Sequence, residues 1–235
     1  MTELWLALDV AETKKTVSIV KELKDYIDVF KIGLELYTSE GPKIIEKIKE
    51  NNVKIFLDLK FCDIPNTVAG AVRSASRYGV DYIDVHACGG PEMMKAAVCS
   101  ANEESVKSPY NTRPKILAIT ILTSINDSVT RRLKINNSVE NLAIEWAILA
   151  KECGLDGIVS SVHEVKKIKE KCGNDFITVT PGIRVISDKL NDDQQRVGTP
   201  ELARDLGSSA IVVGRPIMNA EDRVEAAREI KRRLR

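Results

Sequence analysis

The run Ile55-Phe56-Leu57-Asp58-Leu59-Lys60 sets two opposite charges inside an apolar stretch, and Asp63 follows three residues later. Side chains of a strand alternate faces, so Ile55, Leu57 and Leu59 can meet one layer while Asp58 and Lys60 point together toward the other. Taking an ion out of water costs several kcal/mol even after relaxation, so charges at such positions point to function. An ordinary ion pair on a frayed strand end is the plainer alternative. An ammonium fixed beside a carboxylate can stabilise developing negative charge and deliver a proton.

More charges end similar runs. Asp9 follows Leu6-Ala7-Leu8, and Lys31 follows Val29-Phe30. Each has a bland role open to it: Asp9 as a helix cap, Lys31 reaching solvent along its stem, Asp63 capping a helix that starts near Pro65. Near the carboxyl end, Ile211-Val212-Val213-Gly214-Arg215-Pro216 joins a glycine to an arginine, and Thr180-Pro181-Gly182-Ile183-Arg184 offers a second such pair. Glycine lets backbone N–H groups approach an anion and arginine adds a planar fork of donors, although a turn glycine beside a surface arginine is also common.

Metal and nucleophile chemistry find less support. His86 and His163 are the only histidines, and no His-Asp-Glu cluster has ligand spacing. His86 reads better as a core histidine than as a ligand. The five cysteines, Cys62, Cys88, Cys99, Cys153 and Cys172, are odd in number and form no C-x-x-C pair, so reduced thiols are expected. There is neither a dinucleotide-binding glycine fingerprint nor a P-loop.

Elements to hold these residues alternate along the chain. Eight strand candidates, Leu4–Leu8, Val29–Ile32, Val53–Leu59, Tyr82–Val85, Lys115–Thr120, Gly157–Val159, Phe176–Val179 and Ala210–Val213, are separated by helical patterns. Val68, Ala71, Val72 and Ala75 share one helix face, as do Leu142, Trp146, Leu149 and Ala150. Gly79 and Gly154 are placed to close helices, and Thr199-Pro200 reads as an N-cap followed by proline. Eight parallel βα units in 235 residues fit a closed (β/α)8 TIM barrel of the phosphate-binding type, a single domain over residues 1–235, since closure removes both sheet edges and the architecture takes roughly 250 residues.

In such a barrel the active site lies at the carboxyl ends of the strands, and the loops after strands seven and eight usually hold phosphate. The connections Ile121–Ser138 and Gly182–Gly198 are the longest on that face, and long loops there are usually functional. Asn102–Arg113 precedes a strand and is expected to be a solvated connection on the opposite face.

Composition narrows the partners. The chain has 35 basic and 34 acidic side chains, a net charge of +1, which marks neither a nucleic-acid nor a membrane surface. No apolar run reaches the ~18 residues of a membrane span, and Met1-Thr2-Glu3-Leu4-Trp5 runs straight into a strand pattern with no secretion signal. A soluble, cytoplasmic protein is expected.

The segment Leu57-Asp58-Leu59-Lys60-Phe61-Cys62-Asp63-Ile64-Pro65-Asn66-Thr67-Val68 resembles the signature of the orotidine 5′-phosphate decarboxylase family. Supporting pieces span nearly the whole chain: Leu8-Asp9, Phe30-Lys31-Ile32-Gly33, Val85-His86-Ala87, Leu122-Thr123-Ser124, Thr180-Pro181-Gly182-Ile183-Arg184, Gln194-Gln195-Arg196-Val197 and Val213-Gly214-Arg215-Pro216. The resemblance implies a homodimer that converts orotidine 5′-phosphate to UMP and carbon dioxide without a cofactor or metal, the last step of new pyrimidine synthesis. It also implies roles. Lys60 is the proton donor, Asp58 and Lys31 complete its charged array, and Asp63, Ile64 and Thr67 enter the partner's site. Asp9 and Lys31 hold ribose hydroxyls, Thr123 the pyrimidine, Arg184, Gly214 and Arg215 the phosphate with Pro181 beside them, and Gln194, next to the alternative Gln195, bridges base and phosphate. Cys88 stands where many relatives have serine.

Two rivals share parts of this pattern. The 3-keto-L-gulonate 6-phosphate decarboxylases and hexulose-phosphate synthases, which use magnesium, share the Asp58, Lys60 and Asp63 spacing, but Lys31 and Ile64-Pro65-Asn66-Thr67 favour the pyrimidine enzyme. A catalytically silent phosphometabolite sensor needs Gly214 and Arg215 but not the costly Asp58 and Lys60 pair.

Overall fold

The computed structural model describes residues 1–105, 112–184 and 196–235. Eight parallel strands close into a barrel in sequence order: β1 (Glu3–Ala7), β2 (Val29–Ile32), β3 (Ile55–Phe61), β4 (Tyr82–His86), β5 (Lys115–Ile119), β6 (Gly157–Val159), β7 (Ile177–Thr180) and β8 (Ala210–Val213). Helices follow the strands and surround them, which is the expected (β/α)8 architecture.

Alternation of side chains along the strands builds two apolar layers. Trp5, Val29, Phe56, Tyr82, Leu117, Val179 and Val212 fill the barrel interior. Their neighbours Leu4, Leu6, Phe30, Ile55, Leu57, Ile83 and Val85 turn outward and meet Val20, Leu23, Ile48, Val72 and Met94 from the helices. Each such large side chain contributes ~1.5–3 kcal/mol by leaving water. The Trp5 and Phe56 rings meet edge to face at 5.4 Å and Trp5 lies 4.5 Å from Tyr82, so aromatic groups plug the barrel. Ascending β3 from this plug, the inward positions become Asp58 and then Lys60, and the interior turns from apolar to charged.

Several expectations about boundaries and faces shift. The third strand runs to Phe61 rather than ending at Leu59, and the first, fourth, fifth and seventh strands move by one residue at one or both ends. In the helix Pro65–Ser76, Ala69 is buried where Ala71 is half-buried. In Val139–Glu152, Ala143 and Ala147 are buried while Trp146 and Leu149 are only partly covered. Small residues take the closest positions because these helices lie directly on the barrel. Asn102 does not begin a loop: the helix Pro91–Ser105 continues past it, with Glu104 buried and paired to Arg77 at 2.9 Å. Arg113 is held by both oxygens of Asp156 at 2.8 Å.

Helix ends follow the sequence signals more closely. Gly79 and Gly154 adopt φ of 67° and 83°, where a Cβ is strained, and the Thr199 hydroxyl accepts from the Leu202 N–H ahead of Pro200. The Ile121–Ser138 connection contains a short helix, Asp127–Arg132, capped by Asn126. After β7, Ile183 bridges to Gly198, which fixes the two ends of that loop. Among the described residues no helix is long and apolar enough to cross a membrane.

Candidate active site

The pairing of β3 with β4 is irregular where the charges begin. Phe56 pairs with Tyr82 and Leu57 with Ile83, but the next match is Phe61 with Val85, so β3 uses four residues where β4 uses two. Lys60 takes up the excess with φ of 53°, the left-handed region. Such a conformation costs a non-glycine residue about 1–3 kcal/mol and is retained only where the surroundings enforce it. The Lys60 N–H, deprived of a ladder partner, donates to Oδ1 of Asp84 at 2.8 Å. Simple alternation predicted that Asp58 and Lys60 would share a face, and they do, but through this bulge.

Asp58 lies between two ammonium groups. Lys60 Nζ donates to Oδ1, and Lys31 Nζ stands 3.1 Å from Oδ2. Lys31 is also 3.9 Å from Asp9 Oδ1, so four charges from the ends of three strands form one array. Asp9 caps no helix, since Glu12 precedes the helix Thr13–Leu23. Lys31 does not reach for solvent either, its side chain being only 13% exposed. Gly33 leaves the ammonium room: a Cβ there would come within 2.9 Å of the Lys31 Nζ and displace it.

Burial and charge act against each other here. Burial alone would raise the Asp58 carboxyl, but the Lys31 charge, a hydrogen bond with Asp84 and the Lys60 ammonium outweigh it and hold Asp58 well below the usual carboxylate range. For Lys60, burial lowers the ammonium, but the neighbouring carboxylates, Asp58 foremost, outweigh it and raise it above its ordinary value. Asp84, fully buried, is pushed far upward by burial and by the Asp58 charge. His86, at the end of β4, is lowered by burial and by Lys60, with Asp58 opposing.

The array forms one wall of a cavity of about 470 Å³ at the carboxyl ends of the strands. Asp9, Lys31, Asp58 and Lys60 line one side, Thr123 the loop after β5, and Pro181, Arg184, Gly214 and Arg215 the ends of β7 and β8. A Cβ on Gly214 would come within 3.0 Å of Asp9 Oδ2, so the glycine keeps the β8 turn close to the carboxylate of β1. The lining combines the charge array with the Gly214-Arg215 turn, Arg184 and apolar Ile119, Ile121, Val159 and Val212, a mixture that suits a phosphorylated ligand with an apolar part.

Three expected residues lie elsewhere. Asp63, Ile64 and Thr67 are exposed and do not line their own chain's cavity; the Asp63 Oδ1 accepts from the Ile64 N–H at 2.6 Å, and Ile64 is 68% exposed. Gln194 and Gln195 fall outside the described residues. Cys62 and Cys88 are exposed free thiols with sulfurs 4.0 Å apart. Among the described residues no three His, Cys, Asp or Glu side chains are grouped to hold a metal ion.

Sequence reasoning passed over Asp84, Glu35 and Ser160, of which the last two line the cavity. The signal for Asp84 was present: an acid flanked by Ile83 and Val85 with the inward parity of Tyr82. It also passed over Glu164, a buried carboxylate that receives Arg196, while Arg196 donates to Ile121 O at 3.0 Å and so ties the loop after β7 to that after β5. Burial raises Glu164 to about 7 against the pull of Arg196.

Residues 2–230 match the family model described as Orotidine 5'-phosphate decarboxylase / HUMPS family. An orotidine 5'-phosphate decarboxylase of Maridesulfovibrio salexigens is 44% identical over 230 residues, covering 98% of this chain and 97% of that protein. The enzyme of the same name from Bacillus mycoides is 50% identical over 202 residues, 86% of this chain and 84% of its own length. Among solved structures, the orotidine 5'-phosphate decarboxylase of Lactobacillus acidophilus superposes with a TM-score of 0.87 at 37% identity, covering 100% of this chain and 99% of that one. With a family model spanning nearly the whole sequence and relatives at this identity, the chain belongs to the orotidine 5'-phosphate decarboxylase / HUMPS family.

Proposed function

We propose that this chain is a carboxy-lyase that decarboxylates orotidine 5′-phosphate to UMP, the closing step of pyrimidine nucleotide synthesis, with residues 1–235 acting as one catalytic domain. The observation that carries the reading is the Asp58 carboxylate shared by the Lys31 and Lys60 ammonium groups in the wall of a cavity that Arg184, Gly214 and Arg215 also line.

Loss of carbon dioxide from the pyrimidine leaves an electron pair on a ring carbon that no carbonyl is placed to delocalise. The protein must stabilise that charge itself. Lys60, kept charged by Asp58, supplies a fixed ammonium that stabilises the carbanion and then transfers a proton to it. Lys31 and Asp9 hold ribose hydroxyls, Thr123 the pyrimidine, and Arg184, Gly214, Arg215 and Pro181 surround the phosphate. Gln194 spans base and phosphate. Binding energy from the phosphate, remote from the reacting carbon, is used to order the site around the base. This scheme calls for no cofactor or metal.

The enzyme works as a homodimer in which Asp63, Ile64 and Thr67 enter the partner's site. Their exposure, and their position just beyond Lys60 yet outside their own cavity, support that reading. The proposed partners are a small molecule and a second subunit, neither a membrane nor a nucleic acid, a reading the net charge of +1 supports, and the proposed location is cytoplasmic.

The test is loss of the orotate ultraviolet absorbance when the pure protein meets orotidine 5′-phosphate with a metal chelator present, beside Lys60→Ala. Turnover by the wild type and none by the variant is expected. No turnover from the folded wild type would overturn the reading and move the chain to the magnesium-dependent sugar-phosphate branch of its family, or to a sensor if no sugar phosphate is turned over with magnesium either.

A further inference from the structure

The Asp84 carboxyl lies directly behind the charge array, fully buried, and does not line the cavity. It is held on β4, whose hydrogen-bond ladder with β3 breaks between Leu57 and Phe61. In that gap the Lys60 N–H has no strand carbonyl to meet and turns to Asp84 Oδ1 at 2.8 Å. Lys60 is one of only three described non-glycine residues with positive φ; the other two, Asn52 and Lys134, lie outside the strands. The second oxygen, Oδ2, is buried without a donor among the described residues, on a carboxyl close enough to Asp58 to share a hydrogen bond with it.

We infer that Asp84 is a positioning residue for the decarboxylation: it holds the Lys60 main chain in the left-handed bulge that carries the ammonium to Asp58, and it braces Asp58 from behind. This rests on the assignment of Lys60 as the proton donor. Two jobs fall to one carboxyl. Oδ1 accepts the Lys60 N–H in place of a missing ladder carbonyl, which fixes the backbone from which the ammonium is aimed. Oδ2 carries a proton and donates it to Asp58, because a second carboxylate there would face the first across a buried contact. Burial and the Asp58 charge both favour the protonated form. Asp58 then receives three donors, Lys31, Lys60 and Asp84, so its orientation is fixed before substrate arrives. A neutral acid with one accepting and one donating atom is chemically close to an amide.

That equivalence gives the test. Asp84→Ala and Asp84→Val remove both functions, and Asp84→Asn keeps an acceptor for Lys60 and a donor for Asp58. Steady-state turnover and thermal melting are to be measured on all three, with Lys60→Ala as reference. The expected result is a kcat for Ala and Val reduced on the order of a hundredfold, equivalent to ~2.7 kcal/mol, with KM within a few-fold and with Asn recovering most of the loss. A folded Ala or Val variant with kcat near the wild type overturns the inference, as does a folded Asn variant as slow as Ala. Should neither apolar variant fold, two measurements on the wild-type chain decide. Carboxyl 13C shifts should report a neutral Asp84 at pH 7, and the Lys60 amide should be protected from hydrogen exchange. An ionised Asp84 or a freely exchanging Lys60 amide sinks the idea. Neither readout depends on turnover, so a failure of the decarboxylase reading is distinguished from a failure of this one.

Discussion

Lys31 Nζ sits 3.1 Å from Oδ2 of Asp58, on the oxygen that Lys60 leaves open. The two cations therefore do not compete for one acceptor, and neither can be removed without changing the charge balance of the other. Asp58 is held far below its ordinary pKa against burial that would raise it, and Lys31 is the largest of the opposing causes. A depressed carboxyl contributes stability above its unfolded pKa and loses it as pH falls through the folded one. Replacing Lys31 with Ala should raise the Asp58 pKa and move the acid limb of the kcat/KM profile to higher pH. A limb that stays in place would show that Lys31 does not set the Asp58 charge.

Lys60→Ala removes the ammonium and leaves Asp58 with one of its two cations. General acid catalysis alone contributes ~10²–10⁴-fold, and the electrostatic part is lost with it, so kcat should fall by at least that range. The fold should survive, because the Lys60 amide that meets Asp84 is a main-chain group. Stopped assays and circular dichroism on the same preparation separate the two.

Arg215→Ala should raise KM and lower kcat/KM. A charge-assisted hydrogen bond carries about 1.5–3 kcal/mol, or roughly ten- to a hundred-and-fifty-fold. Gly214→Ala should act in the same direction, more weakly, by shifting Asp9, its new Cβ lying 3.0 Å from Asp9 Oδ2. Unchanged kcat and KM in Arg215→Ala would remove that residue from the phosphate site.

Asp63→Ala and Lys60→Ala should each be nearly inactive alone. If Asp63 crosses to the partner, mixing the two after subunit exchange rebuilds one intact site in each mixed dimer, and roughly a quarter of the wild-type activity should return under random pairing of a two-fold dimer. No recovery from a verified mixed dimer places Asp63 in its own chain's site.

Glu164 titrates apart from the chemistry. Burial raises it from 4.5 to about 7, with Arg196 opposing. A carboxyl whose folded pKa is raised contributes stability below its unfolded pKa, lost as pH rises through the folded value. Tm should thus carry a declining component between pH 4.5 and 7 that Glu164→Gln abolishes. Arg196→Ala, which leaves the carboxyl buried without its cation, should lower Tm as well. An identical Tm profile in Glu164→Gln would assign that pH dependence to other groups.

The order of strands and helices, the type of barrel and most of the cavity lining were legible in the sequence, because strand periodicity, helix stops and charges at strand ends are local properties. Asp9, Lys31, Asp58, Lys60, Arg184, Gly214 and Arg215 stand out in the sequence by charge and position at strand ends, Thr123 is marked by the family resemblance, and the cavity gathers every one of them. Side-chain alternation put Asp58 and Lys60 on one face, but it held no hint of the bulge or of the left-handed Lys60 that brings them there. That geometry depends on the register between β3 and β4, two strands joined only through a helix, and register is set by packing across the barrel. Asp84 escaped notice for the same reason. Within its own strand it is a single acid between two apolar residues; its meaning lies in the neighbouring strand, whose broken ladder it completes and whose carboxylate it faces. The identity of the reacting groups is thus written along the chain, whereas their protonation, which depends on burial and on charges brought from distant positions, is decided only when the barrel closes.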